Sequence, residues 1–481
     1  MSDKSETKRR FRLWHGFAAA AVLLILCFAG FTASRAIDFK KTNDARELTS
    51  QEFVSLGNIL TSQYPEKYKY LKSLPYNVGQ PQLDIWARSA ILIDVSNGNV
   101  LYEKNADAVI PPASMTKLFA MYVVEEEVAA GRLSYDQIIP LPPESWACNM
   151  PPHSSLMFLG QGQRVTLEEL LLGLSICSGN DAAYALAYAV CGSMDQFVER
   201  MNQAAAELGL THTHFVESSG YSELNQTTAR EMADFAAAYL LRFPSSLHRF
   251  HSVLDFTYPK ARNLAPGDQL HAQDFSQGLP EKITMSITQE NTNPLLGKLE
   301  GCDGLKTGYI DESGYNLTLT AVRGQTRFLS VTMGGPGNNA REGQAGRVHD
   351  GTELMEWAFK NFADYSLELK VHSYLVRSFN SSEKMLRLQP AWAEKTFTVP
   401  YVTGSSMSEN LDSVRVEVKL PDYCWGSVEQ GEQYGSIVIS AADYILEEIP
   451  LVADRNLRKG NVLISLADLI LTRYRHTIKH N

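Results

Sequence analysis

The chain has 481 residues, of which 44% are hydrophobic and 20% are charged. These proportions are typical of a globular protein with buried hydrophobic cores, and the length predicts more than one domain. The net charge of −10 argues against a nucleic-acid partner, because such a partner requires a basic surface.

The N-terminus, residues 1–36, combines a basic segment with a long apolar one. From Leu13 to Ser34 the chain has no Lys, Arg, Asp or Glu, and about 20 apolar residues suffice to span a bilayer as a helix. The basic residues before this segment are expected to stay in the cytoplasm: Lys4, Lys8, Arg9, Arg10 and Arg12. The rest of the chain is therefore predicted to be exported and held at the cell membrane, facing the periplasm or the extracellular side.

Two interpretations of this segment remain open. One is a signal peptide that is removed at Ser34-Arg35-Ala36, which follows the small-x-small pattern of a cleavage site. The other is an uncleaved membrane anchor, which the length of the apolar run favours.

Residues 37–87 are predicted to be a stem or linker. The segment is polar, has a helical pattern over Gln51–Gln63, and is interrupted by Pro65, Pro75 and Pro81. No residue pattern in it indicates chemistry.

Residues 88–365 are predicted to form one α+β domain. Ala90–Val95 and Val100–Glu103 resemble two strands joined by an Asn97-Gly98 turn. The segments between them and the C-terminal strands have helical periodicity, and Thr166 to Glu169 match a capping box. One predicted helix ends at Val128, and the others lie at Leu167–Leu174, Asn180–Val190, Ser193–Leu208, Thr228–Leu241 and Glu353–Phe362. The later strands lie at Gly304–Tyr309, Tyr315–Val322 and Arg327–Met333. Strands at both ends with helices between them predict one antiparallel sheet packed against a helical cluster.

Residues 366–460 are predicted to be a small all-β sandwich domain, because short alternating segments are separated by turn residues. These segments are Leu367–Val376, Thr396–Val402, Val414–Leu420 and Gly435–Ile439. Residues 461–481 have the pattern of an amphipathic helix, with Val462, Leu466, Leu469 and Ile470 on one face. Such a helix lies either in a membrane interface or against its own domain, and the sequence does not separate the two.

Ser114 and Lys117 form an S-x-x-K pair at a predicted helix start. Residues three apart share one face of a helix, so the lysine amine can reach the serine hydroxyl and accept its proton. The pKa of free lysine is about 10.4, but burial or a nearby cation lowers it and makes the amine a better base. The pair predicts an activated serine nucleophile, although alone it also occurs on solvated helices.

Two further motifs follow in the chain. Ser178-Gly179-Asn180 offers a hydroxyl and an amide at a bend before a helix, where a capping role is the usual alternative. Lys306-Thr307-Gly308 lies on a predicted strand, where a cation and a hydroxyl can bind a carboxylate and Gly308 allows close approach of a ligand backbone. The order S-x-x-K, S-x-N, K-T-G is the motif set of penicillin-binding proteins and class A β-lactamases.

The region 88–365 resembles the low-molecular-weight penicillin-binding proteins, the serine-type D-Ala-D-Ala carboxypeptidases of peptidase family S11. The resemblance is carried by the three motifs and by the residues around them, such as Asp303-Gly-Leu-Lys-Thr-Gly-Tyr309 and Gly314-Tyr-Asn316. It implies a β-lactamase/transpeptidase-like fold and continues, more weakly, into residues 366–460.

The same resemblance implies the roles of the motif residues. Ser114 would be the acyl-ester nucleophile, Lys117 its general base, and Ser178 a proton relay beside Asn180. Lys306, Thr307 and Gly308 would bind substrate, and the backbone N–H groups of Ser114 and Tyr309 would form the oxyanion hole. The implied partners are peptidoglycan stem peptides ending in D-Ala-D-Ala, β-lactam inhibitors and a membrane, with no nucleic acid. The implied mechanism uses no metal and no cofactor.

Two alternatives were weighed against this activity. A class A β-lactamase requires a deacylating Glu four residues before an Asn, but Tyr221 occupies that position relative to Asn225. A non-catalytic peptidoglycan-binding scaffold would not need all three motifs intact. Neither the six cysteines, which include no C-x-x-C pair, nor the His212-x-His214 pair indicates a zinc site.

Overall fold

A computed structural model describes residues 3–37, 49–64, 69–79, 81–264, 286–367, 374–392, 396–401 and 412–479. The chain divides into two compact units. The larger unit comprises Tyr70–Tyr365 and Thr396–Asn410, and the smaller unit comprises Met1–Lys69, Ser366–Lys395 and Leu411–Asn481.

The larger unit is built around a six-stranded sheet in the order β1-β3-β2-β10-β9-β8. Its strands are β1 Lys72–Ser73, β2 Ser89–Asp94, β3 Asn99–Lys104, β8 Cys302–Ile310, β9 Gly314–Arg323 and β10 Thr326–Gly335. All neighbours are antiparallel except β1 and β3. The first and last parts of the region thus meet in one sheet, as predicted from the order of strands and helices.

Both faces of this sheet are buried. Ile91 and Ile93 of β2 lie in one hydrophobic cluster, whereas Ala90 and Leu92 lie in the other. Alternate side chains of a strand point to opposite faces, so a fully buried apolar strand requires helices on both sides. The predicted α+β layering of this region is confirmed.

One face carries a cluster of helices from the middle of the chain. These are α3 Thr116–Ala129, α4 Leu167–Ser175, α5 Asn180–Cys191, α6 Met194–Glu207 and α7 Ala229–Arg242. The predicted capping box is present, with the Thr166 hydroxyl accepting from Glu169 N and the Glu169 carboxylate accepting from Thr166 N. Four short strands form two antiparallel two-stranded sheets. In one, β4 Ile138–Ile139 pairs with β5 Val165–Thr166, and in the other, β6 Asp255–Tyr258 pairs with β7 Ile287–Glu290.

The other face carries helix α8, which spans Ala340–Asn361. The prediction began this helix only at Glu353, and the structure corrects that bound. Asn339 caps the helix by accepting from Glu342 N at 3.0 Å. A Cβ on Gly343 would overlap the Tyr315 ring and one on Gly351 would lie 2.6 Å from Leu295 Cδ1, so close packing at these two positions outweighs the low helix propensity of glycine.

The larger unit also contains β14 Thr396–Pro400, which pairs with β11 Phe362–Ser366. The sequence pattern had placed this strand with the all-β region. Thr398 Oγ1 donates to the carboxylate of Asp94 at the end of β2, and Asn97 donates to the same carboxylate at 3.0 Å.

The smaller unit holds a six-stranded sheet in the order β15-β17-β18-β13-β12-β16. Its strands are β12 Tyr374–Phe379, β13 Met385–Pro390, β15 Val414–Lys419, β16 Cys424–Trp425, β17 Gln433–Ala441 and β18 Tyr444–Ala453. A β-rich C-terminal region is therefore confirmed. The strand predicted at Leu367–Val376 overlaps β12, which begins only at Tyr374, and its middle lies outside the described residues.

Three helices complete the smaller unit: α1 Asp3–Ile37, α2 Ser50–Gln63 and α9 Val462–Lys479. Helix α2, within the predicted stem, buries Leu56 and Leu60 against Ala391 and Val452. Among the described residues, one helical segment, Trp14–Ala36 of α1, is long and apolar enough to cross a membrane.

Candidate active site

Ser114 lies in a single 3-10 turn, Ala113–Met115, immediately before helix α3. The turn is held at an unusual backbone angle, because Ala113 has φ +50°. A non-glycine residue in this region is strained by about 1–3 kcal/mol, and such strain persists where the surrounding structure enforces it. The turn leaves Ser114 partly exposed while its neighbours Ala113 and Met115 are buried.

Lys117, one turn after Ser114, is fully buried. Its Nζ lies 2.9 Å from Ser114 Oγ and 2.8 Å from Asn180 Oδ1, and it also donates to the Ser219 carbonyl. Burial lowers the pKa of Lys117 to about 7, against opposing contributions from Glu217 and Asp181. A substantial fraction of the amine is therefore neutral near pH 7 and able to accept a proton.

Ser178 and Asn180 come from the bend between α4 and α5. Ser178 has φ +56°, and its hydroxyl accepts from Lys306 Nζ at 3.0 Å. Asn180 is the first residue of α5, and its amide nitrogen donates to Ser154 Oγ at 3.1 Å. The second motif therefore lies between the lysines of the other two motifs, because Asn180 accepts from Lys117 and Ser178 accepts from Lys306.

Lys306, Thr307 and Gly308 lie on β8, an edge strand of the sheet. Thr307 Oγ1 donates to Thr292 Oγ1 at 2.8 Å. A Cβ on Gly308 would lie 2.5 Å from the Pro112 carbonyl oxygen and 3.1 Å from Ser114 N. Only glycine lets the strand approach the nucleophile this closely.

Lys306 is buried like Lys117. Burial, followed by the charges of Lys117 and Arg347, holds the pKa of Lys306 well below its usual range. A bound anion would oppose this shift, because an opposite charge favours the protonated amine. The site is thus prepared for a negatively charged ligand group.

Tyr309 continues β8 beyond this cluster and is half-exposed. Its ring stacks on Tyr315 with the centroids 4.3 Å apart, and its hydroxyl donates to Asp311 Oδ1 at 2.6 Å. The Tyr309 side chain therefore contacts Tyr315 and Asp311, which are not residues of the three motifs.

Several residues that complete the site were not predicted as site residues. The carboxylate of Glu217 accepts from Ser219 N, Ser219 Oγ and Gly220 N, each within 2.6 Å. This arrangement fixes the Ser219 carbonyl that binds Lys117 Nζ. The loop carries no motif that distinguishes it in sequence, so only the fold identifies its role.

Asp181 and Arg347 are two further supports. The buried carboxylate of Asp181 accepts from Met157 N and Leu159 N, at 3.0 and 2.9 Å, and so positions the segment that carries Ser154. Arg347 of α8 donates to the carbonyl oxygens of Gly308 and Asn316 and so joins α8 to β8 and β9. Asp181 directly follows the second motif, whereas Arg347 has no local sequence signal.

Comparison with known proteins agrees with the fold and with the family resemblance. A family model described as D-alanyl-D-alanine carboxypeptidase (Peptidase_S11) matches residues 76–337. The chain is 28% identical over 381 residues to D-alanyl-D-alanine carboxypeptidase DacF of Bacillus subtilis, covering 79% of this chain and 88% of that one. It is 29% identical over 408 residues to DacA of Escherichia coli, covering 83% and 90%.

A solved structure supports the fold class. Penicillin binding protein 5 from Haemophilus influenzae superposes with a TM-score of 0.62 at 27% identity, covering 80% of this chain and all of that chain. The predicted β-lactamase/transpeptidase-like fold followed by a β-rich domain is confirmed by this similarity.

Proposed function

This chain belongs to the D-alanyl-D-alanine carboxypeptidase family, and from that premise we propose that Ser114 is the nucleophile of its reaction. The protein is a serine-type D-Ala-D-Ala carboxypeptidase, a hydrolase of cell-wall biogenesis that removes the C-terminal D-alanine from peptidoglycan stem peptides. The observation that carries the assignment of Ser114 is the 2.9 Å distance from its hydroxyl to the buried amine of Lys117.

The first step forms the acyl-enzyme. Neutral Lys117 accepts the proton of Ser114, and the serine oxygen attacks the carbonyl carbon between the two D-alanines. The backbone N–H groups of Ser114 and Tyr309 stabilise the oxyanion, and one such donor is typically worth about 10²–10³ in rate. The proximity of β8 to Ser114 N at Gly308 supports this pairing of donors.

The leaving D-alanine departs as an amine. The proton that Lys117 took from Ser114 passes through the Ser178 hydroxyl to this nitrogen as the C–N bond breaks, and Lys117 becomes neutral again. Asn180, whose Oδ1 accepts from Lys117 Nζ, holds the adjoining amide of the substrate. Lys306, which donates to Ser178 Oγ, and Thr307 bind the terminal carboxylate, which accounts for a preference for free C-termini. Water then attacks the ester carbon while Lys117 accepts its proton, and this proton passes to the Ser114 oxygen as the ester bond breaks.

We propose that β-lactams acylate Ser114 by the same route and leave it slowly. A class A β-lactamase is the alternative, and the comparisons do not favour it. Glu217 lies in the loop whose Ser219 carbonyl binds Lys117, but its oxygens accept bonds from backbone and side-chain donors of residues 219–225. That engagement leaves it unsuited to activate a deacylating water.

We also propose how the chain is organised around this reaction. Residues 88–365 are the catalytic domain, residues 37–87 the stem, and residues 366–460 a β-sandwich domain. The exported part of the chain faces the periplasm or the extracellular side. The apolar residues of the terminal segment 461–481 contact the membrane, which is supported by the exposure of Val462, Leu463 and Ile470 on α9.

The assignment of Ser114 is tested with Ser114→Ala in the full chain. We expect D-Ala release from a pentapeptide ending in D-Ala-D-Ala to fall by at least about 10³ and labelling by fluorescent penicillin to disappear, because no acyl-enzyme forms. The matched control is Ser134→Ala, an exposed serine of the same unit, which keeps both activities.

Three results would contradict the proposal. Residual labelling of a folded Ser114→Ala protein would place the nucleophile elsewhere. Rapid penicillin hydrolysis without D-Ala release by the unaltered protein would favour the β-lactamase. Absence of both activities in the folded, unaltered protein would favour a peptidoglycan-binding scaffold.

A further inference from the structure

The outer end of helix α1 is joined to helix α9 by a buried ion pair within the smaller unit. Arg35 is 4% exposed and Asp468 is fully buried. The guanidinium contacts both carboxylate oxygens, with Nε–Oδ1 at 2.8 Å and Nη2–Oδ2 at 2.7 Å. Bidentate pairs of this kind are strong and geometrically specific.

The surrounding residues hold both partners in place. Asn380 N donates to Asp468 Oδ2 at 2.7 Å, and the Arg377 guanidinium donates to the backbone carbonyl of Arg35. Arg377 belongs to β12, and Asn380 follows it, so the pair connects α1, the sheet and α9. This contact is formed by the backbone of α1 as well as by its side chain.

Removal of α1 at the candidate site Ser34-Arg35-Ala36 would take Arg35 away with it. Asp468 would then keep one backbone donor but lose the cation that compensates its buried charge. A buried carboxylate that has lost its partner is strongly destabilising. Retention of α1 keeps the charge of Asp468 compensated.

The remainder of α1 is suited to a lipid environment. The segment Trp14–Ala36 is long enough to cross a bilayer. Side chains along it, such as Leu23, Leu24 and Ile25, are about two-thirds exposed. Among the side chains of α1 from Trp14 to Ala36, which are those the structure describes, only Arg35 is buried.

We propose that α1 is retained in the mature protein as a transmembrane anchor, and that the Arg35–Asp468 pair fixes its outer end to the C-terminal helix. The inference rests on the proposed export of the chain. The lipid bilayer surrounds α1, which is a permanent part of the fold and not a cleaved signal peptide.

The first experiment measures the intact mass of the full chain after expression in a bacterial host and extraction of the membranes with detergent. The expected mass includes residues 1–36. A protein that begins near residue 37 would overturn the proposal.

The same sample separates this result from the proposed function. Labelling of intact cells with a membrane-impermeant fluorescent penicillin reports export and the reactivity of Ser114, whichever N-terminus is found. Failure of labelling would contradict export or the nucleophile, whereas loss of residues 1–36 from a labelled protein would contradict only the retained anchor.

The second experiment is a double-mutant cycle on the full chain, with Arg35→Met, Asp468→Asn and the double variant. Each single change strands one buried charge, so we expect the rate of proteolysis of the smaller unit in detergent to rise about tenfold or more. The double variant removes both charges and should be cleaved more slowly than the two single effects predict together. Arg415→Met, an exposed arginine of the same unit, is the control and stays as resistant as the unaltered chain.

Additive effects, or single variants as resistant as the control, would show that the pair does not couple α1 to α9. Penicillin labelling is measured on every variant, because the catalytic residues belong to the larger unit.

Discussion

At the active site, two buried lysines lie close enough for the charge of Lys117 to lower the pKa of Lys306. A protein interior cannot hold two such cations without compensation, so at least one amine is driven toward its neutral form. In this site Lys117 has the hydroxyl of Ser114 as its neighbour, whereas Lys306 has that of Ser178. Both amines have a lowered pKa, and a bound carboxylate would raise that of Lys306. The proposed base and the proposed carboxylate-binding residue are thus distinguished by their neighbouring hydroxyls.

Glu217 opposes the effect of burial on Lys117, because its negative charge raises the pKa of the amine. Glu217→Gln should therefore lower the pKa of Lys117 below its present value of about 7. Because the proposed mechanism requires the neutral amine of Lys117, the acid limb of the pH profile of kcat/KM for D-Ala release should move to lower pH.

The control is Glu223→Gln, an exposed residue of the same loop. A loss of packing alone would reduce kcat/KM for Glu217→Gln without moving the acid limb. An unmoved limb would therefore contradict an electrostatic role of Glu217 toward Lys117.

A buried carboxyl, Asp364, lies outside the cleft and hydrogen-bonds Asp94. Burial and the adjacent Asp94 raise the pKa of Asp364 to about 9. The folded state therefore binds a proton that the unfolded chain releases above about pH 4. The stabilising contribution of this proton is complete below that pH and is lost as pH rises toward 9.

Asp364→Asn should remove this pH dependence, because an amide stays neutral. We expect the melting temperature of Asp364→Asn, minus that of the unaltered protein, to increase from pH 5 to pH 8.5, as measured by thermal unfolding. Asp94→Asn is the contrasting variant: its carboxylate accepts from Ser96 N and Asn97, so it should lose stability throughout this range. If the difference in melting temperature between Asp364→Asn and the unaltered protein stayed constant from pH 5 to pH 8.5, the folded state would not bind this proton.

At the scale of elements, α8 illustrates how packing sets the identity of individual positions. A Cβ on Gly351 would lie 2.6 Å from Leu295 Cδ1, whereas one on Gly346 would meet nothing closer than 3.7 Å. Both glycines are in the same helix and both are buried. The side chains packed around α8 therefore restrict Gly351 and leave Gly346 free to change.

Gly346→Ala and Gly351→Ala form a matched pair. Gly346→Ala should raise the stability by about 0.5–1 kcal/mol, the usual gain of alanine over glycine in a helix. Gly351→Ala should lower it by about 1–3 kcal/mol, because the added methyl group overpacks the core. Denaturant unfolding measures both, and equal effects of the two changes would contradict this account.

The positions of the elements also bear on the chemistry. The helix start at Ser114, the bend at Ser178 and strand β8 come from three distant parts of the chain. Their meeting depends on the central antiparallel sheet, in which β8 and β10 bring the end of the region to β2 near its beginning. The motif order in sequence predicts which elements meet, and the sheet determines how closely.

At the scale of the whole molecule, each unit is stabilised in its own way. The larger unit has hydrophobic clusters on both faces of its sheet, while the smaller unit combines a sheet with three helices and the buried Arg35–Asp468 pair. Helix α1, whose sequence fits both a signal peptide and a membrane anchor, belongs to the smaller unit. The proposed retention of α1 adds a transmembrane anchor to the membrane contact proposed for residues 461–481.

The sequence by itself determined the α+β order of elements, the family resemblance and the eight motif positions from Ser114 to Tyr309, because these depend on local periodicity and on short spacings. Only the tertiary structure decided the length of α8, the placement of Thr396–Pro400, the role of the Glu217 loop and the partnership of Arg35 with Asp468. Each of these arises from contacts between residues far apart in the chain. Burial and charge compensation at such contacts have no local pattern, so they become visible only once the elements are packed.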